Sequence, residues 1–261
     1  VIALIDADVL VYRVGFTTEN ETEEFIPRSR FDEMVESILD ETNATEYKLY
    51  LSDSTKNNFR TTFYPAYKAN RTQPRPKHYD LLKEHAISSW SALVTKKQEA
   101  DDALGIEQTI YNGYLENPEY GDDGSVICTI DKDLKQVPGN HYNFVKKEKD
   151  YVSPEQGLRY FYQQLLTGDT SDNIQGCPKV GPSRASKALE GLSTEGDYID
   201  SVRRCYLYSY ARYIYSVKEL NEEQIQFVEN QILVNGICLK IRTQENEVWS
   251  IPQQKQIQES Q

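Results

Sequence analysis

The chain has 261 residues and a formal charge of −12, with 27% charged and 38% hydrophobic residues. That length supports one large domain, or a core with a smaller helical part. No apolar run reaches the length of a membrane span, no signal peptide is legible, and Cys128, Cys177, Cys205 and Cys238 lie far apart without a C-x-x-C pair, which excludes a disulfide framework and a structural zinc site and points to a reducing, cytoplasmic compartment.

In chain order, residues 1–6 read as a buried strand. Residues 31–43 carry Phe31, Met34, Val35, Ile38 and Leu39 at helical spacing, and 46–51 read as a second strand. A proline-broken stretch follows, leading into a helix over 79–90. A further helix begins near Glu99 and runs towards Leu115, and 117–124 is rich in turn residues. Strands are expected at 125–130 and 141–145. Alternating strands and helices indicate a largely parallel sheet. Beyond 152 the pattern is helical: Ser153-Pro154-Glu155 opens one helix, and others are expected over 183–190, 198–217 and 222–235, with a short strand over 237–241. Tyr206, Tyr210 and Tyr213 share a helical face in this reading, which suits packing better than base stacking. The glutamine-rich end from Gln253 reads as a mobile tail.

Acidic residues recur where strands end. Asp6 and Asp8 follow the first strand, Asp53 the second, and Asp131 and Asp133 the third; Asp169 and Asp172 lie in a later turn. Glu99-Ala100-Asp101-Asp102 opens an apolar helix. Acids in a first helical turn suit the helix dipole, but three in four residues repel one another unless a cation sits among them. In open α/β sheets ligands bind beyond the carboxyl ends of strands. Oxygen donors without His or Cys suit hard cations such as Mg²⁺ or Mn²⁺.

The acidic average conceals a segregated charge. Residues 56–97 hold nine Lys or Arg against two acids, a local charge of +7, so the rest of the chain carries −19. A basic island beside a well of carboxylates suits a metal-dependent enzyme acting on a polyanion. In Gly176-Cys177-Pro178-Lys179-Val180-Gly181-Pro182-Ser183-Arg184, a tight turn runs into a helix start. Backbone N–H groups there can hold a phosphate, and Arg184 and Lys187 add charge.

The ordered set of motifs resembles the 5′-nuclease (flap endonuclease) family, in particular the compact bacteriophage 5′→3′ exonucleases. It comprises Ile5-Asp6-Ala7-Asp8, Ser52-Asp53, Tyr64-Pro65-Ala66-Tyr67-Lys68-Ala69-Asn70-Arg71, Glu99-Ala100-Asp101-Asp102, Asp131-Lys132-Asp133 and Gly168-Asp169-Thr170-Ser171-Asp172-Asn173. The resemblance implies a PIN-like α/β core over 1–152 with a basic arch-like segment at 56–97. A C-terminal helical part over 153–252 would carry a helix–hairpin–helix-like duplex-binding element at about 168–190, with a tail at 253–261.

It also implies two divalent ions held by Asp6, Asp53, Glu99, Asp101, Asp102, Asp131, Asp133, Asp169 and Asp172. Lys68 would oppose transition-state charge, Tyr67 would stack on the terminal base, and Arg71 would hold phosphate. Lys56, Arg60, Arg75, Lys77, Lys179, Gly181, Ser183, Arg184 and Lys187 would contact nucleic acid, and Lys83 and Lys96 would attract it. Family members often hold a monovalent cation at the turn 177–183. Two positions depart from the family: Lys179 replaces a usual glycine, and Asp8 stands where many relatives have a non-acid, so the resemblance does not assign it.

The activity implied is phosphodiester hydrolysis near 5′ ends, flaps or nicks of DNA by a monomer, in phage replication or recombination within the host cytoplasm. RNA in RNA–DNA hybrids is an alternative main substrate. A PIN-type ribonuclease and a non-catalytic structure-specific DNA-binding protein are the remaining readings.

Overall fold

The structure, a computed structural model, describes residues 1–53, 58–115 and 124–252. Lys56, most of the turn-rich stretch 117–124 and the tail from 253 lie outside the described residues. Packing divides the chain into two compact units that do not follow the sequence linearly. The first comprises Val1–Phe59, Thr72–Pro154 and Ile241–Glu247, the second Arg60–Arg71, Glu155–Lys240 and the segment from Val248.

The first unit is built on six strands: β1 (Ile2–Asp6), β2 (Glu46–Leu51), β3 (Leu93–Val94), β4 (Ser125–Cys128), β5 (Gly139–Asn143) and β6 (Glu148–Val152). Their order is β3-β2-β1-β4-β5-β6. All pairings are parallel except the β5–β6 hairpin. Strand β1 is buried along its whole length, as a strand covered on both faces must be. Its alternate side chains serve two cores. Ala3 and Ile5 pack with Leu10, Val14, Phe31, Val35 and Leu82, whereas Ile2 and Leu4 pack with Leu104, Ile127, Leu134 and Val137. The order reverses between β1 and β4, so the crevice beyond their carboxyl ends is a topological switch point.

Helices α1 (Ala7–Thr17), α2 (Phe25–Thr42), α4 (Tyr79–Trp90) and α5 (Ala100–Leu115) cover the sheet. Helix α1 was not expected. It starts directly after β1, with Asp6 as its N-cap accepting the Val9 N–H, and its Val9, Val11 and Val14 mimic a continuing strand.

The second unit contains the short α3 (Arg60–Phe63), then α6 (Pro154–Thr167, from its second residue on), α7 (Pro182–Ala188), α8 (Glu195–Ser209) and α9 (Glu222–Leu239). The strand expected over 237–241 is absent. Asn221 and Gln224 form a capping box that starts α9, and the helix runs on to Leu239. Likewise the single helix expected over 198–217 is α8 followed by a π-helical turn, Tyr210–Ile214. Tyr206 is fully buried, donating to the Leu165 carbonyl at 2.6 Å, so the packing role expected for that tyrosine holds.

Candidate active site

In the first unit, the ends of β1, β2 and β4 and the start of α5 bring acids together. Asp6 is buried. One carboxylate oxygen accepts the Val9 N–H at 3.1 Å, the other the Thr129 hydroxyl at 2.8 Å. Burial, and then the neighbouring charge of Asp8, push its carboxyl up to about 7 from the usual 3.8; Asp131 adds to the same effect. Asp8 is likewise raised, first by burial and also by Glu99, against hydrogen bonds from Ser52 and the charge of Lys83. Asp8, left unassigned by the motif, is therefore part of this array. The signal for it was its place two residues after Asp6, just past the end of β1.

Ser52 ties the array together. Its N–H donates to Asp8 at 2.9 Å, its hydroxyl accepts the Ala100 N–H at 2.9 Å, and its carbonyl accepts Lys83 Nζ at 3.1 Å. Lys83 is thus held beside the acids, not displayed as a remote attractor. Asp131 holds its own loop, accepting the Asp133 N–H at 2.9 Å while its N–H donates to Thr129 Oγ1 at 3.0 Å. Asp53, Glu99, Asp101 and Asp133 are all half-buried at the same strand and helix ends.

Asp102 behaves differently. It is fully buried, and its two oxygens accept backbone N–H groups, Glu99 at 3.0 Å and Arg242 at 3.1 Å. Its carboxylate binds the start of α5 to a returning strap, Ile241–Glu247. Arg242 in that strap donates to Gln98 Oε1 at 2.8 Å and to the Glu247 carbonyl at 2.8 Å, and its guanidinium lies 3.7 Å from the Phe59 ring centroid. The approach requires a glycine: a Cβ on Gly105 would meet the Arg242 carbonyl oxygen at 2.4 Å. No local motif announces this strap, because Arg242 lies 140 residues from Asp102.

Among the described residues, no three His, Cys, Asp or Glu side chains stand close enough to hold one metal ion between them. The donor chemistry nevertheless fits a hard cation: the acids are oxygen donors only, and burial first, with like charge adding to it, raises the Asp6 and Asp8 carboxyls, a cost that a bound cation relieves.

In the second unit, the segment Tyr64–Arg71 docks on the turn 168–176. Asp172 receives three side chains: Arg71 at 2.6 Å, the Tyr67 hydroxyl at 3.1 Å and Lys68 Nζ at 3.6 Å. The Lys68 N–H donates to the Asp172 carbonyl at 3.0 Å, and Asn173 Nδ2 to the Ala66 carbonyl at 2.8 Å. Lys68 and Asn173 adopt left-handed backbone, φ 56° and 63°. Asp169 caps its own turn, accepting both the N–H and the hydroxyl of Ser171. Gly168 and Gly176 face one another so closely that a Cβ on either would meet the other's backbone nitrogen, at 2.3 and 2.2 Å.

Two expectations are corrected here. Tyr67 is 7% exposed, with its ring beneath Lys68 and Arg60, so it has no face to offer a base. Arg60 does not reach out to nucleic acid. It is 2% exposed, and donates to the carbonyls of Cys238 and Lys240 at 2.9 and 2.8 Å, capping the end of α9. By contrast Lys179, Gly181, Ser183, Arg184 and Lys187 all stand exposed on one turn and helix start. Arg184 closes the turn on the Lys179 carbonyl at 2.8 Å, and Lys179 takes the left-handed conformation, φ 62°, that a glycine would adopt without strain. In the first unit, Arg75 and Lys77 are exposed; Arg75 stacks on Tyr79 at 4.4 Å and Lys77 Nζ donates to the Glu21 carbonyl.

A model of the 5′–3′ exonuclease N-terminal, resolvase-like domain matches residues 1–162, and the chain belongs to the 5′–3′ exonuclease family. A 5′–3′ exonuclease of Buchnera aphidicola is 28% identical over 223 residues, covering 78% of this chain and 74% of that protein. A thermostable DNA polymerase I of Thermus caldophilus is 28% identical over 204 residues, covering 72% of this chain but only 24% of the polymerase. Among solved structures, the bacteriophage T5 flap endonuclease in a pseudo-enzyme–product complex with DNA and metal ions aligns with a TM-score of 0.61 at 18% identity, over 91% of this chain and 90% of that one. The T5 5′-exonuclease with bound zinc aligns at 0.62 and 17% identity, over 93% and 90%. These likenesses establish the mostly parallel α/β fold with a helical C-terminal part. No helix among the described residues is long and apolar enough to cross a membrane.

Proposed function

We propose that the chain hydrolyses phosphodiester bonds near 5′ ends and flaps of DNA with two Mg²⁺ or Mn²⁺ ions. The observation that carries this reading is the array Asp6–Asp8–Glu99–Asp131 at the switch point, where burial and then the neighbouring acids raise the Asp6 carboxyl. Asp6, Asp8, Asp53, Glu99, Asp101, Asp131 and Asp133 are the proposed holders of metal in the first unit; Asp169 and Asp172 are assigned to metal through water. Divalent ions bound by such acids supply Lewis-acid stabilisation of a transferring phosphoryl group and lower the pKa of water. Asp102 positions Glu99 and Asp101 by fixing the helix start.

Lys68 and Arg71 are proposed to meet substrate phosphate. With no phosphate present both pair with the one carboxylate of Asp172, so substrate phosphate competes with that carboxylate for them. Lys68 then opposes charge that grows in the transition state. The exposed turn from Lys179 to Lys187 is proposed to grip duplex backbone without reading sequence, with a monovalent cation as an optional aid at 177–183. The remaining features of the reading are a monomer in a host cytoplasm and activity on RNA–DNA hybrids as well as DNA. The test is a product map with a 5′-labelled flap, a nicked duplex and a hybrid, with and without Mg²⁺. Short 5′ products from the flap and nick, released only with metal, support the reading. Binding of all three without any cleavage returns the chain to a non-catalytic DNA-binding role.

A further inference from the structure

The carboxyl end of α8 carries an aromatic feature that the hydrolytic site does not use. Tyr208 and Tyr213 are 60% and 42% exposed, and their rings meet edge to face at 6.4 Å, 85° apart. In a regular α-helix, residues five apart point about 140° away from one another. The π-turn Tyr210–Ile214, closed by the Tyr215 N–H on the Tyr210 carbonyl at 2.9 Å, widens the helix and brings the two rings together. The turn is held from within: Tyr210 packs on Tyr206, Tyr215 and Phe227. Arg204 is exposed one turn before Tyr208, on the same helix face, and the exposed Arg212 adjoins Tyr213. A π-turn inside a helix is uncommon and often marks a functional position.

We propose that Tyr208 and Tyr213, flanked by Arg204 and Arg212, form a second nucleic-acid contact that takes a single-stranded segment. Unpaired bases stack on the tyrosine rings, and the arginines hold the neighbouring phosphates. Exposed aromatics interleaved with cations are the recognition chemistry of single strands, and the cations complement a polyanion that this acidic chain would otherwise repel. The substrate class rests on the nuclease reading; the binding does not need hydrolysis.

The experiment is fluorescence anisotropy of a short labelled oligothymidylate with the full chain in excess chelator, so that no cleavage occurs. Tyr208→Ala with Tyr213→Ala should weaken binding at least about fivefold, the lower bound for one lost stacked base. Tyr208→Phe with Tyr213→Phe should bind like the parent, because the rings remain. Arg204→Ala with Arg212→Ala should reduce the slope of log affinity against log salt by about 1.4, two phosphate contacts on a single strand. An alanine pair that binds like the parent, or a phenylalanine pair that falls as far as the alanine pair, overturns the proposal. Should the alanine pair fail to fold, the phenylalanine and arginine pairs decide it: full binding by the first with a reduced salt slope in the second is the required result. Absence of hydrolysis by the parent in Mg²⁺ would count against the nuclease reading alone, since strand binding is measured separately.

Discussion

Arg60 stands in the most basic stretch of the sequence, yet its guanidinium is spent on the fold. Replacing it with alanine removes donors from the Cys238 and Lys240 carbonyls at the end of α9 and the cation over the Tyr67 ring at 5.9 Å. A buried acceptor left without its donor costs about 1–3 kcal/mol. Two such carbonyls, partly relieved by water entering the vacated space, put the loss at about 3 kcal/mol, a large fraction of the stability of an ordinary domain. Urea unfolding in chelator, followed by tyrosine fluorescence, measures it. Arg60→Lys should recover only part of the loss, since one ammonium cannot present the planar fork that spans two carbonyls. In the folded protein at low temperature, the salt slope of DNA binding should be unchanged. A stability change under about 1 kcal/mol, together with a salt slope lowered by about 0.9, the value of one phosphate contact, would refute this account and return Arg60 to the nucleic acid.

Lys68→Ala should slow single-turnover cleavage by roughly 10²-fold or more, the scale for losing a preorganised electrostatic donor, with much less change in DNA affinity; a variant that binds poorly but cleaves bound DNA at the parent rate would reduce Lys68 to a surface charge. Asp102→Asn should cost about 1–3 kcal/mol in thermal or urea unfolding, because an amide N–H₂ would face the Glu99 or Arg242 N–H; unchanged stability would remove Asp102 from the helix start. His141 is buried, which lowers its pKa against the hydrogen bond it makes to the Val137 carbonyl at 2.8 Å. Its neutral form therefore supports the fold above about pH 6.5, and that support is lost as pH falls through the lowered folded value. His141→Gln should flatten the pH dependence of stability between neutral and mildly acidic pH, and parallel parent and variant curves would contradict this.

Much of the first unit was legible because its strands are apolar runs that end on acids. The continuous burial of Ile2–Asp6 and the acids after β1, β2 and β4 could be read without coordinates. What local pattern could not show was partnership at long range. Arg60 and Arg71 look alike in sequence, but one caps a helix 178 residues away and the other is exposed on Asp172. Asp102 looks like Asp101, yet its oxygens are taken by backbone, one of them from the strap. Tyr67 sits in the expected motif but is buried by the turn it docks on. The π-turn at Tyr210–Ile214 was hidden because its residues are ordinary helix formers and only the i to i+5 bond distinguishes it.

The central claim is that the acids of the first unit serve hydrolysis by holding divalent metal. Single-turnover cleavage of a 5′-labelled flap, titrated with Mg²⁺ against chelator, tests it in the parent and in Asp131→Asn, where the amide oxygen can still accept the Asp133 N–H and keep the loop. The account predicts no cleavage by the parent in excess chelator, a rate that saturates with Mg²⁺, and an Asp131→Asn protein that needs far more Mg²⁺ or is slower by roughly 10²-fold. Undiminished hydrolysis by the parent in excess chelator would contradict it.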